Sequence, residues 1–129
     1  MALTFSKEER LCSRKLIDSL YADGHRLMAF PYSVLWQKVT AQTPCQVLIV
    51  APKRRFHHAV DRNRIKRLTR ECYRQLKPTL LAFLQEHDIS ITLSLVYIHT
   101  EIMTYEQLLH KMEKLLALLQ DDISSHCEP

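Results

Sequence analysis

The sequence predicts a small single-domain α+β fold, and three observations carry that expectation. Two segments alternate apolar and polar residues with the period of a strand, and others repeat apolar residues every three or four positions; the two kinds interleave along 129 residues. A chain of this length supports one modest core, and no linker, internal repeat or low-complexity stretch divides it, so residues 1–129 read as one domain.

The first element is an amphipathic helix at about 13 to 22. Ser13 stands where an N-cap belongs, and Leu16, Ile17, Leu20 and Tyr21 follow at helical spacing. Gly24, the only glycine, lies just past the helix, where positive φ is most useful. Upstream, Ser6 and Glu9 have the spacing of a capping box for a short first turn. Tyr32 to Val39 alternates as a strand, with Tyr32, Val34, Trp36 and Lys38 on one aromatic face. Gln46 to Ala51 is nearly continuous in apolar residues and ends at Pro52, the pattern of a strand covered on both faces. A hairpin through Ala41 to Pro44 would join these two strands.

A basic helix over 59–77 comes next, with Pro78 either breaking it or opening a second helical stretch through Leu84. Ile89, Ile91, Leu93, Leu95 and Tyr97 alternate with Ser90, Thr92 and Ser94, which predicts a half-buried strand. Tyr105, Leu108, Leu109, Met112, Leu115, Leu116 and Leu119 mark an amphipathic last helix, with a frayed tail after Asp121. The order helix, strands, helix, strand, helix ends in a strand-helix-strand crossover on a small sheet.

Charge separates the segments more sharply than hydrophobicity does. Residues 53–77 hold ten Lys and Arg against two acids, Asp61 and Glu71, whereas the rest of the chain has eight basic and twelve acidic residues. On a helix, Ile65, Leu68, Cys72 and Leu76 share one arc that faces the core, leaving Arg62, Asn63, Lys66, Arg67, Arg70 and Arg74 on the other side. A charge run often forms only a solvated face. Here arginine dominates over lysine, and the run continues into Lys53, Arg54 and Arg55, so a broad surface suited to forked phosphate contacts is expected. Asn63, between Arg62 and Arg64, has two candidate roles: a contact to phosphate, ribose or base, or a local bond in the first helical turn.

Other function classes find less support. The acids are scattered, with no paired carboxylates near the basic segment, so no protein catalytic residue is expected. Cys12, Cys45, Cys72 and Cys127 form no CxxC pair and read as reduced thiols, without a zinc site or disulfide framework. No apolar run approaches the roughly 20 residues that span a bilayer, and the N-terminus lacks the order of a secretory signal, so a cytoplasmic protein without a membrane partner is expected. A helix-turn-helix DNA binder fits poorly, because no short helix precedes the basic one at turn spacing.

The string AVDRNRIKRLTRE, residues 59–71, resembles the signature of the bacterial ribonuclease P protein components. The likeness extends along nearly the whole chain, in the order αβββαβα. The resemblance implies a small two-layer α+β sandwich shared with a ribosomal protein domain, containing a left-handed crossover against the general preference for the right hand. It also implies a function: a protein subunit that binds the catalytic ribonuclease P RNA and the 5′ leader of precursor tRNA. The RNA would hold Mg²⁺ and perform the hydrolysis, with no cofactor on the protein and no protein oligomer required. Carried over residue by residue, RNA contacts fall on Lys53, Arg54, Arg55, Arg62, Asn63, Arg64, Lys66, Arg67 and Arg70. A leader cleft between the first helix and the sheet would use Tyr21, Tyr32 and Trp36 as stacking surfaces, with core packing as the rival role for these aromatics. One departure stands at the helix entrance, where His57 and His58 replace the glycine common in that family; the pair is expected to add pH-dependent RNA contacts and not to bind a metal. The rival reading is a ribosomal or ribosome-assembly RNA-binding protein of the same fold, which needs the basic helix but no leader cleft.

Overall fold

A computed structural model describes residues 9–40 and 43–126. Ser6, the 41–44 connection at Ala41 and Gln42, and Cys127 lie outside the described residues. Helix α1 is Arg14–Asp23, strands β1, β2 and β3 are His25–Ala29, Tyr32–Val39 and Cys45–Val50, helix α2 is Ala59–Glu86, strand β4 is Ser90–Tyr97 and helix α3 is Tyr105–His126.

The sheet order is β1-β2-β4-β3, antiparallel except for the parallel pair β3 and β4. The expected hairpin between β2 and β3 is therefore not formed: β4 lies between them. The crossover from β3 through α2 to β4 is present. This placement exchanges the two burial patterns read from the sequence. The apolar run of β3 is an edge strand, and the alternating β4 is central, with Thr92 and Ser94 fully buried on its polar side. The short β1 has no clear period of its own and is fixed by pairing with β2 across the turn at Phe30 and Pro31.

Register assigns the two faces. Tyr32, Val34 and Trp36 of β2 share a face with Ile91, Leu93, Leu95 and Tyr97 of β4 and with Cys45 and Val47 of β3, and α2 and α3 bury that face as the main core. On the other face α1 closes a smaller cluster of Leu11, Leu20 and Leu35, with Leu16, Ile17 and Leu48 packed against it. The main core contains ordered polar bonds. Tyr32 Oη and Thr69 Oγ1 are 2.7 Å apart, and Trp36 Nε1 donates to Asp122 Oδ2 at 2.7 Å. Burial pushes the Cys45 thiol up to about 12 and the Cys72 thiol up to about 11, so neither is a reactive thiolate near neutral pH.

Three local expectations change. Helix α2 runs through Pro78 to Glu86, because the proline sits exposed on a helix anchored on both sides of it by buried Tyr73, Lys77, Leu80 and Leu84. After that helix Asp88 adopts the left-handed conformation, φ 54°, that reverses the chain into β4. Helix α3 continues past Asp121 to His126, since Ile123 is buried and Asp122 holds Trp36.

Gly24 has φ −66°, so positive φ is not what it provides. Its amide donates to Leu20 O at 2.8 Å, and an added Cβ would meet Leu20 O and come within 2.9 Å of Leu20 Cδ1. The glycine is needed for close approach. Gly24→Ala is expected to destabilise the fold by about 1 to 3 kcal/mol, as overpacking does, read as a lower urea midpoint at unchanged m-value; an unchanged midpoint would refute it.

Candidate nucleic-acid interface

The cationic surface is built by a loop and the outer side of one helix. After β3, buried Ala51 and Phe56 anchor the 51–58 loop from beneath, and a turn closed by Arg55 N and Phe56 N donating to Pro52 O leaves Lys53 and Arg54 exposed and Arg55 half-buried. His58 is the N-cap of α2 in ordinary extended backbone, φ −88° and ψ 130°, so the absence of glycine imposes no strain there. His57 and His58 are both exposed.

Along α2 the buried arc is Ile65, Thr69, Cys72, Tyr73, Lys77, Leu80 and Leu84. Asn63, Arg67, Arg70 and Arg74 form a stripe within an arc of about 60° that starts at the edge of the buried arc beside Lys77. Asn63, Arg64 and Arg67 are exposed, whereas Lys66 and Arg70 are half-buried. Not every cation in the segment faces outward. Arg62 projects toward the buried arc and is half-buried, its Nη1 donating to Phe56 O at 2.8 Å and His57 O at 2.9 Å. It fixes the loop to the helix. Lys77 is buried and bonds both carboxylate oxygens of Glu9 at 2.8 Å, and Arg74 pairs with Glu71. Composition alone had counted all three toward one patch.

A cation outside the segment joins this surface. The chain around Arg10 runs beside β3, bridging to Val47, with Leu11 N donating to Val47 O at 2.9 Å. Arg10 thereby lines, with Lys66, Arg70, Leu11, Cys12 and Val47, an open hollow of ≈ 220 Å³ between the sheet edge and α2. Nothing in the local sequence announces this role, which depends on a long-range pairing.

The predicted aromatic cleft is divided by the sheet. Tyr21 is 49% exposed on α1, its hydroxyl 3.1 Å from Ser94 Oγ. Tyr32 and Trp36 are on the opposite face and 0% exposed, so neither offers a ring to a base; their assignment as leader contacts is corrected to core packing. What adjoins Tyr21 is a row across the sheet formed by Met28, Ser33, Val96 and Val50, in register on the α1 side. Met28 is 58% exposed and the other three are partly exposed, leaving an open, mostly apolar strip beyond the helix. Among the described residues no group of three or more His, Cys, Asp and Glu side chains is placed to hold a metal ion, and no helix is long and apolar enough to cross a membrane.

A small mixed sheet carrying one arginine-striped helix defines a protein built to bind a polyanion. The ribonuclease P family model matches residues 5–120, and the chain belongs to that family. It is similar to the ribonuclease P protein component of Porphyromonas gingivalis, 31% identical over 122 residues that cover 93% of this chain and 89% of the relative. The protein component of Chlorobium phaeobacteroides is 36% identical over 85 residues, 62% of this chain and 58% of the relative. Two solved structures share the fold: the RNase P protein of Staphylococcus aureus, with TM-score 0.66, 19% identity and coverage of 86% of this chain and 94% of that one, and that of Thermotoga maritima, with TM-score 0.67, 21% identity and coverage of 84% and 94%.

Proposed function

We propose that this chain acts as a single RNA-binding domain within ribonuclease P, in the cytoplasm, holding the catalytic RNA and helping it take precursor tRNA for removal of the 5′ leader. The observation that carries the reading is the outward stripe of Asn63, Arg67 and Arg70 on α2, flanked by Arg64 and Lys66 and continued by Lys53 and Arg54 in the loop. Forked guanidiniums on a rigid helix suit phosphates spaced along a folded RNA. The RNA supplies the Mg²⁺ and the hydrolytic chemistry; this chain contributes charge and position. The single-stranded leader is received on the α1 side, with Tyr21 offering a stacking face beside the open strip. Protein alone is expected not to cleave precursor tRNA at any Mg²⁺ concentration, and addition of ribonuclease P RNA to give a single 5′ cut. Cleavage by RNA-free protein that co-purifies with the chain through several columns would overturn the reading.

A further inference from the structure

A second exposed aromatic surface lies at the end of the sheet, at the β1–β2 turn. Phe30 occupies the β1–β2 turn, a position that ordinarily takes small or polar residues, and is 48% exposed. Its ring centroid is 5.0 Å from that of His99, beyond the end of β4, at an interplanar angle of 59°. Among the described residues no ring other than His99 lies against Phe30.

Ring contacts lead from this pair to the cationic loop. His99 is 6.4 Å from Tyr97, and Tyr97 is 5.9 Å from Phe56, centroid to centroid. Phe56 is the residue whose carbonyl Arg62 holds. The loop carrying His99 is itself fixed, since Tyr97 Oη donates to Glu101 O at 2.7 Å and accepts from Met103 N at 3.1 Å. At the far end of this path the 53–64 segment carries Lys53, Arg54, Arg55, Arg62 and Arg64 against Asp61, while the 98–104 loop beside the pair carries Glu101. Tyr97 faces α2 and α3, so the path leads to the helix that carries the arginine stripe.

We propose that Phe30 and His99 form a stacking site for one unpaired base of the RNA that lies along α2. This rests on the ribonuclease P reading and adds to it a contact with the catalytic RNA, at the turn end of the sheet. Phe30 supplies the ring face, His99 supplies a ring edge with nitrogens for the base or its sugar, and the loop cations take the adjoining phosphates.

The test compares Phe30→Leu, which keeps apolar bulk without a π-face, with Phe30→Tyr, which keeps the ring. Binding of each variant to ribonuclease P RNA alone is measured beside Arg67→Ala, with circular dichroism to verify folding. Phe30→Leu is expected to weaken binding by about five- to a hundredfold, the loss of one base-aromatic stack, and Phe30→Tyr to restore it. Unchanged affinity for Phe30→Leu while Arg67→Ala weakens binding would overturn the stacking site and leave the function standing. Unchanged affinity for both would overturn the function as well. A loss seen only with leader-bearing precursor tRNA on the assembled holoenzyme would assign the base to the leader and overturn the proposal as stated.

Discussion

Replacing Arg64, Arg67 and Arg70 together by alanine is expected to reduce affinity for ribonuclease P RNA by about a hundredfold or more at moderate salt while leaving the fold in place. Charge-assisted hydrogen bonds contribute about 1.5 to 3 kcal/mol each when well formed, and each lost phosphate contact should shrink the slope of log affinity against log salt by about 0.7 to 0.9. None of the three is among the fully buried residues, so the melting temperature should hardly move. Arg62→Ala is the informative contrast. That guanidinium bonds the Phe56 and His57 carbonyls, so its loss should lower stability and loosen the 51–58 loop as well as remove a charge. A folded triple mutant with unchanged affinity and salt slope would remove the stripe from the mechanism.

The sequence made the periodic elements and the charged helix legible because both are local. Helical spacing located α1, α2 and α3, and β2 was found with its exact ends, Tyr32 and Val39. Contacts between distant segments were not legible. Insertion of β4 between β2 and β3 turned the apolar run into an edge and the alternating run into the sheet centre, since α1 covers Ser94 where alternation implied solvent. Continuation of α2 past Pro78 likewise depends on burial of Leu80 and Leu84 against partners remote in sequence. At the site, cation type and count were readable, but their partners were not: Glu9 claims Lys77 across 68 residues, and two backbone carbonyls claim Arg62. The family resemblance grouped Tyr21, Tyr32 and Trp36 in one cleft, with core packing as the rival role, whereas strand parity places the last two on the other side of the sheet.

Trp36→Ala is expected to reduce folding stability by about 3 to 5 kcal/mol, the usual consequence of truncating a large core aromatic. Trp36 is 0% exposed, its indole N–H donates to Asp122 near the end of α3, and its ring lies 4.5 Å from that of His25 and 5.8 Å from that of His126, centroid to centroid. Removing it opens a cavity where β1, β2 and the last turns of α3 meet and leaves the Asp122 carboxylate without that donor. Whatever RNA affinity falls should fall equally for precursor and mature tRNA on the holoenzyme, in proportion to the unfolded fraction. Tyr21→Ala should give the reverse pattern, because half of that side chain is already exposed and only its hydroxyl is tied to Ser94. Its melting temperature should stay close to that of the parent, and affinity should drop by about five- to a hundredfold for a precursor with a several-nucleotide leader, with little change for mature tRNA. Melting curves and both affinities measured on the same two variants decide the matter. A stable Trp36→Ala protein that discriminates against the leader would return Trp36 to the cleft, and equal losses for Tyr21→Ala on both RNAs would remove Tyr21 from it.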